Sequence, residues 1–142
     1  MSTSETITRT DLKAIFDEVL PLERRVLLWT NPNPNASFTA QDVSISSAYN
    51  NYDFIEVEYK IGASEDTVTG EKVMDRVPCK NWTRAITIVQ GSNVWVIIHR
   101  ARWWTNDGLH FDSAYWNTLN SSASNGQDDS NMIPYKIYGI KC

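Results

Sequence analysis

The chain has 142 residues, 13 Lys and Arg against 17 Asp and Glu, and a formal net charge of −4. That length suits a single domain that buries its own core without help from disulfides or metal. The acidic balance and scattered basic residues argue against a nucleic-acid partner, which needs concentrated Lys and Arg to neutralise phosphates.

The N-terminus, MSTSETITRT, lacks the basic start and apolar run of a signal peptide. No stretch approaches the ~20 apolar residues of a membrane span. The expectation is a protein made in the cytoplasm, carrying no secretion address and not inserted into a membrane. Asn35-Ala-Ser, Asn81-Trp-Thr and Asn120-Ser-Ser then match the glycosylation pattern by chance. Cys79 and Cys142 form no metal-type cluster, and two free thiols are expected rather than a bridge.

Residues 1–9 are polar. Leu12, Ile15, Phe16, Val19 and Leu20 then recur at the spacing of an amphipathic helix, predicted over residues 10–20. Thr8 with Asp11, or Thr10 alone, caps its first amides, and Pro21 stops it. Its apolar stripe needs a partner: the domain itself, a second copy or a larger assembly. Residues 1–21 are read as a tail and docking helix, with 22–142 as the main domain.

From there the apolar period changes from 3.6 to 2. Residues 25–30 read as a strand with Val26 and Leu28 on one face, Leu27 and Trp29 on the other. Asn31-Pro-Asn-Pro-Asn is a turn, residues 38–45 a second strand and 46–51 a polar loop. Residues 52–61 alternate most clearly. Ile55, Val57, Tyr59 and Ile61 point inward, while Glu56, Glu58 and Lys60 form a wet face. Residues 63–70 form a polar loop. Residues 71–79 are a weak strand, with Val73 and Val77 inward and Pro78 at an edge. Residues 84–89 and 93–104 follow as strands joined by Gly91-Ser-Asn. Val94-Trp-Val-Ile-Ile is apolar on both faces and is placed centrally, between two layers. Asn106-Asp-Gly marks a turn, residues 109–116 a strand and 118–131 a long polar loop. The last strand spans 133–140, with Ile133, Tyr135 and Ile137 on one face.

The sum is one short N-terminal helix followed by about seven or eight strands without interleaved helices, which excludes a parallel α/β sheet. The predicted fold is mainly β: an antiparallel, jelly-roll-like β-sandwich, with a small barrel as the alternative.

Catalytic chemistry finds little support. His99 and His110 are the only histidines, neither lies near a nucleophile elbow, and both read as structural or surface residues. There is no zinc-type spacing and no Gly-rich phosphate loop. Asp128, Asp129 and Asn131 are oxygen donors for Ca²⁺ only if an ordered turn gathers them. Glu56 and Glu58 share one strand face and rise ~6.6–6.8 Å apart, a separation that sugar hydrolases use. Their ordinary reading is the solvated side of a half-buried strand.

Six Trp and six Tyr are many for this length. Most suit the core of a β protein; the rest suit a binding face. Trp103 and Trp104 lie beside Asn106 and Asp107, and Tyr115 and Trp116 precede the polar loop. Adjacent strand residues face opposite ways, so each pair offers one ring to the core and one to a ligand. These six residues are the candidate ligand site. Leu12, Ile15, Phe16 and Val19 are the candidate assembly helix.

Two segments carry a family resemblance. One is Leu27-Leu-Trp-Thr-Asn-Pro-Asn-Pro, with Phe38 after it and Tyr52-Asp-Phe-Ile-Glu-Val-Glu-Tyr beyond. The other is Met132-Ile-Pro-Tyr-Lys-Ile-Tyr-Gly-Ile-Lys. Over residues 26–60 and 132–141 the chain resembles small structural proteins of tailed bacteriophages and prophages of Gram-positive and gut bacteria. The resemblance implies a virion component of the tail, fibre or head surface. It also implies a trimeric β-sandwich that contacts other virion proteins and a host-surface glycan, with no catalytic residue and no cofactor. A free carbohydrate-binding module, with Trp104 or Trp116 exposed, is the second reading. A glycoside hydrolase built on Glu56 and Glu58 is the third.

Overall fold

The structure is a computed structural model that describes residues 8–13, 24–45, 51–67, 70–79, 83–90, 95–119 and 124–142. Residues 9–13 are helical. The helix opens on a capping box: the Asp11 amide donates to Thr8 Oγ1 at 3.1 Å, and the Thr8 amide donates to Asp11 Oδ2 at 3.1 Å. Leu12, the first residue of the apolar stripe, is 44% exposed. Ile15, Phe16 and Val19 lie outside the described residues.

Among the described residues nine strands follow: β1 (Arg24–Thr30), β2 (Gln41–Ser44), β3 (Phe54–Gly62), β4 (Lys72–Pro78), β5 (Thr83–Gln90), β6 (Trp95–Trp104), β7 (Gly108–Thr118), β8 (Asn125–Gln127) and β9 (Asn131–Lys141). They form two antiparallel sheets, ordered β1-β9-β3-β4 and β2-β7-β6-β5, with β8 beside the second half of β7. The first strand pairs with the last, and β2 pairs with the long β7, so the chain passes between the two layers of the predicted β-sandwich. Between the sheets lie Leu28, Val43, Ile55, Val57, Tyr59, Ile98, Leu109, Phe111, Ile133 and Ile137.

Several local predictions fail for identifiable reasons. The second strand begins at Gln41 instead of residue 38, because Phe38 is a core plug and not a strand residue. Its amide donates to the Asp129 carbonyl at 2.8 Å. Its ring meets Trp29 and Phe111 edge-on, at 6.3 and 5.7 Å between centroids. Trp29 reaches that ring because a register shift after Leu27 breaks the alternation of β1. The polar segment 118–131 contains β8, which pairs with Tyr115–Asn117. Gly126 permits this contact, since a Cβ there would stand 2.9 Å from the Trp116 indole.

Pro134 lies in β9, the strand between β1 and β3, where a missing N–H is normally excluded. A register shift resolves the conflict: Glu58 faces Lys136, Tyr59 faces Pro134, and Tyr135 is left over. Tyr135 therefore leaves the inward row predicted for it with Ile133 and Ile137. Asn31 caps the bulge. Its Nδ2 donates to the Pro134 carbonyl at 2.8 Å and its amide to the Tyr135 carbonyl at 2.8 Å.

β6 is central in its sheet, yet among the described residues no second layer covers its outward face. Val96 and Ile98 pack into the core, whereas Trp95 remains 45% exposed. The placement of this segment between two covering layers is thus corrected.

Two arginines of β6 point into the sandwich and are fully buried. A bulge in β7 sets Arg100 opposite Ala114 and Arg102 opposite Phe111, exposing the Asp112 carbonyl to the interior. Arg100 Nη1 donates to that carbonyl, Nε to Met132 O at 2.8 Å and Nη2 to Asn131 O at 3.1 Å. Met132 turns its carbonyl inward by adopting φ 47°, a left-handed conformation uncommon for a side chain of its kind. Asp129 stands 3.9 Å from the guanidinium, and the Phe38 ring lies 5.5 Å beneath it. Arg102 Nε donates to Asp75 Oδ2 on β4 at 3.0 Å, linking the two sheets.

Replacing Arg100 by Leu strands three buried carbonyls and the Asp129 charge. The expected loss is about 3–5 kcal/mol of unfolding free energy, read as a lowered urea midpoint with an unchanged slope.

Candidate functional site

The outward face of the β1-β9-β3-β4 sheet carries the paired glutamates. Glu56 is not solvated: it is 6% exposed and lies between two arginines. Arg25 on β1 reaches across Tyr138, 3.5 Å above its ring, to donate to Glu56 Oε1 at 2.6 and 2.9 Å. Arg76 on β4 donates to Oε2 at 2.9 Å. Burial works to raise the Glu56 pKa, but the hydrogen bonds and charges of Arg76 and Arg25 outweigh it and hold the carboxyl below its usual 4.5. Both oxygens are engaged and the group is closed to solvent, so it offers neither a proton nor a nucleophile to a sugar. Glu58 faces Lys136 and Met74 across the strands instead.

Lys60, the third member of the supposed wet face, is fully buried. Its Nζ donates to Pro34 O and Asn35 Oδ1 at 2.8 Å and to Ala63 O at 3.1 Å. Burial pushes its pKa down, against the pull of Asp66 and Glu65. Both residues were misread because a strand's alternation shows which face a side chain leaves from, not what later folds over that face.

The outward face of the β2-β7-β6-β5 sheet is different. Cross-strand rows can be followed from β5 to β2 and β8. Ile88, Ile97, Asn117 and Asn125 form one; Ile86, His99, Tyr115 and Gln127 form the next. Ile86 and Ile88 are 55% and 56% exposed, and Tyr115 is 38% exposed. The Tyr115 ring stacks on His99 at 5.9 Å. Burial, then the nearby Arg84 charge, lowers the His99 pKa below 6.5, while a hydrogen bond with Asn117 opposes the shift. At the other end of the face Trp103, His110 and Asp42 form a row on β6, β7 and β2. The Trp103 and His110 rings stack at 4.3 Å, and His110 Nδ1 lies 2.6 Å from Asp42 Oδ1.

The six aromatic and polar candidates are thus divided. Trp104 and Trp116 pack against the core and are not free binding rings, which corrects the expectation that one is exposed. Trp103 and Tyr115 take the outward positions. Asn106 and Asp107 form the β6–β7 turn, closed by the Thr105 amide donating to Gly108 O at 2.9 Å. Tyr115 belongs to the isoleucine rows and stands apart from the Trp103 row. Asp42 and His110 complete that row and were missed as a pair, since nothing in the sequence announces that β2 lies beside β7.

Among the described residues no group of His, Cys, Asp or Glu is arranged to hold a metal ion. Asp128 accepts from the Ser130 amide at 3.0 Å and hydroxyl at 2.6 Å, and Asp129 accepts from the Ala114 amide at 3.0 Å. These carboxylates close a turn and do not converge. Cys79 and Cys142 form no disulfide among the described residues, and the Cys79 thiol donates to Tyr52 O at 3.2 Å. Among the described residues no helix is long and apolar enough to cross a membrane. The chain matches no family model, no curated protein and no solved structure.

Because the lowered Glu56 pKa favours the folded state only when the group is ionised, its contribution is present above about pH 4.5 and is lost as pH falls through the folded value. Urea unfolding between about pH 5 and pH 3 should show a steeper loss of stability for the wild type than for Glu56→Gln, with the variant about 1–2 kcal/mol less stable at neutral pH. Gly108 makes a second test. A Cβ there would meet Val43 O at 1.9 Å. Gly108→Ala should push β2 off β7, costing about 1–3 kcal/mol and raising amide exchange at Asp42 and Val43.

Proposed function

We propose that this chain is a non-catalytic structural module of a tailed-phage virion, of the tail, fibre or head-surface type. In this reading it assembles with copies of itself and with neighbouring virion proteins through the outward face of the β2-β7-β6-β5 sheet. The observation that carries the reading is the group of exposed apolar residues on that face: Ile86, Ile88, Trp95 and Tyr115. Two exposed isoleucines at i and i+2 on an edge strand, with a Trp and a Tyr beside them, have the composition of an interface core and not of a solvated surface. The opposite outward face supports the same division of labour, since there the Arg25–Glu56–Arg76 network occupies the centre of the sheet.

The segments that resemble phage structural proteins contain β1, β2, β3 and β9, and three of these, β1, β9 and β3, are neighbours in one sheet. That arrangement fits a shared frame whose other sheet carries the individual contacts. The absence of an engaged acid–base pair at Glu56 favours binding over catalysis as the work of the surface.

Light scattering of the purified protein at micromolar concentration is expected to give an oligomer, a trimer on the resemblance, and Ile86→Glu with Ile88→Glu is expected to give a folded monomer. A wild-type chain that stays monomeric sinks the assembly reading, and an oligomer untouched by the double change moves the interface elsewhere. Flanking genes for portal, capsid or tail proteins are expected, and a purely metabolic neighbourhood would end the virion reading.

A further inference from the structure

Away from the isoleucine rows, β2 is the shared wall of two open hollows. On one side lies a hollow of about 300 Å³ lined by Asp42, Val43, Ser44, Thr105, Asn106 and Asp107. On the other lies one of about 400 Å³, bounded by Asp42, Val43 and Ser44 together with Trp29, Asn31 and Gln41 among others. Asp42 also ends the Trp103–His110 row, so it joins both hollows to a stacked aromatic pair. The walls are held in place. The Ile45 amide donates to Asp107 O at 3.2 Å, and Asn31 is fixed by the Pro134 carbonyl.

We propose that this groove across β2 binds a neutral oligosaccharide, with Asp42, Asn106 and Asp107 taking its hydroxyls and Trp103 flanking the site. Sugars present vicinal hydroxyls on their edges and C–H groups on their faces. Carboxylates and amides pair with the first, and indole rings cover the second. The Asp42 side chain is 70% exposed, and its Oδ1 accepts from His110 Nδ1, which fixes the carboxylate plane while leaving Oδ2 for a ligand. Asn106 and Asp107 are exposed on the turn beside it. Among the described residues two carboxylates and no Lys or Arg line the two hollows, so the site disfavours phosphate, sulfate and sialic acid. The two hollows share Asp42, Val43 and Ser44, so a short chain of sugars reaches both where a single ring fills only one. Trp29 lines the larger hollow.

The test uses the intact protein with cellotriose, maltotriose, chitotriose and a sialylated trisaccharide as probes, followed by tryptophan fluorescence and by amide and indole chemical shifts. At least one neutral trisaccharide should bind in the micromolar to millimolar range and move the signals of Asp42, Asn106 and the Trp103 indole. Asp42→Ala and Asp107→Ala change exposed side chains and should each weaken binding about tenfold or more, with unfolding midpoints near the wild type. Failure of every neutral probe at millimolar concentration overturns the proposal. So does binding confined to the sialylated probe, or affinity unchanged in both variants. Ile86→Glu with Ile88→Glu should leave the affinity intact, so loss of assembly and loss of sugar binding are read separately.

Discussion

The structure depends on a guanidinium placed where a hydrophobic side chain would be expected. Arg100 stands on the inward face of β6 and bonds to three backbone carbonyls, two at the start of β9 and one at the β7 bulge. A bare buried charge is severely unfavourable in a low-dielectric interior, so this residue is tolerable only because those carbonyls and Asp129 surround it. The demand runs both ways. The bulge at Asp112 and the left-handed Met132 are local departures from ideal strand geometry, and each aims a carbonyl at the guanidinium. Phe38 lies beneath the same group and seals the interior. Loop 31–40, β7 and β9 are thereby tied to one side chain of β6.

A sandwich built on such a clamp is free to use its two outward faces differently. On one, Arg25, Glu56 and Arg76 form a cross-strand ion-pair network with Tyr138 beneath Arg25. Such a network confers register and acid sensitivity, and it engages both oxygens of the Glu56 carboxylate. On the other, the isoleucine rows and the Trp103–His110–Asp42 row are open. The contrast follows from composition at a few positions: charged residues of opposite sign at facing positions close a surface, and aliphatic residues at the same depth leave it adhesive.

Much of the strand content was legible because period-2 alternation is a local signal. β3 to β7 all appear in the sequence at close to their final limits. What alternation could not show is what covers a face. Glu56 and Lys60 have the sequence signature of a wet face, yet Arg25 and Arg76 close over one, and the carbonyls of Pro34 and Ala63 over the other. The bulges in β1, β7 and β9 shift the inward set by one residue, which moved Trp29 into the core and Tyr135 out of the inward row. The candidate aromatic set divides in the same way. Adjacency guaranteed that one ring of each pair faced out, and only the assembled sheets decided that Trp103 and Tyr115 did so.

By itself the sequence determined the mainly β class, the capped N-terminal helix start, and the lack of any spacing suited to a triad or zinc site. These follow from periodicity, capping chemistry and residue inventory, all of which act within a few residues along the chain. The tertiary structure alone decided that Arg100 and Arg102 are interior and that Glu56 is locked between arginines. It alone brought Asp42 from β2 beside His110 and the Asn106-Asp107 turn. Those arrangements arise from pairings between residues tens of positions apart, fixed by burial and hydrogen-bond satisfaction across two sheets, and no local pattern encodes them.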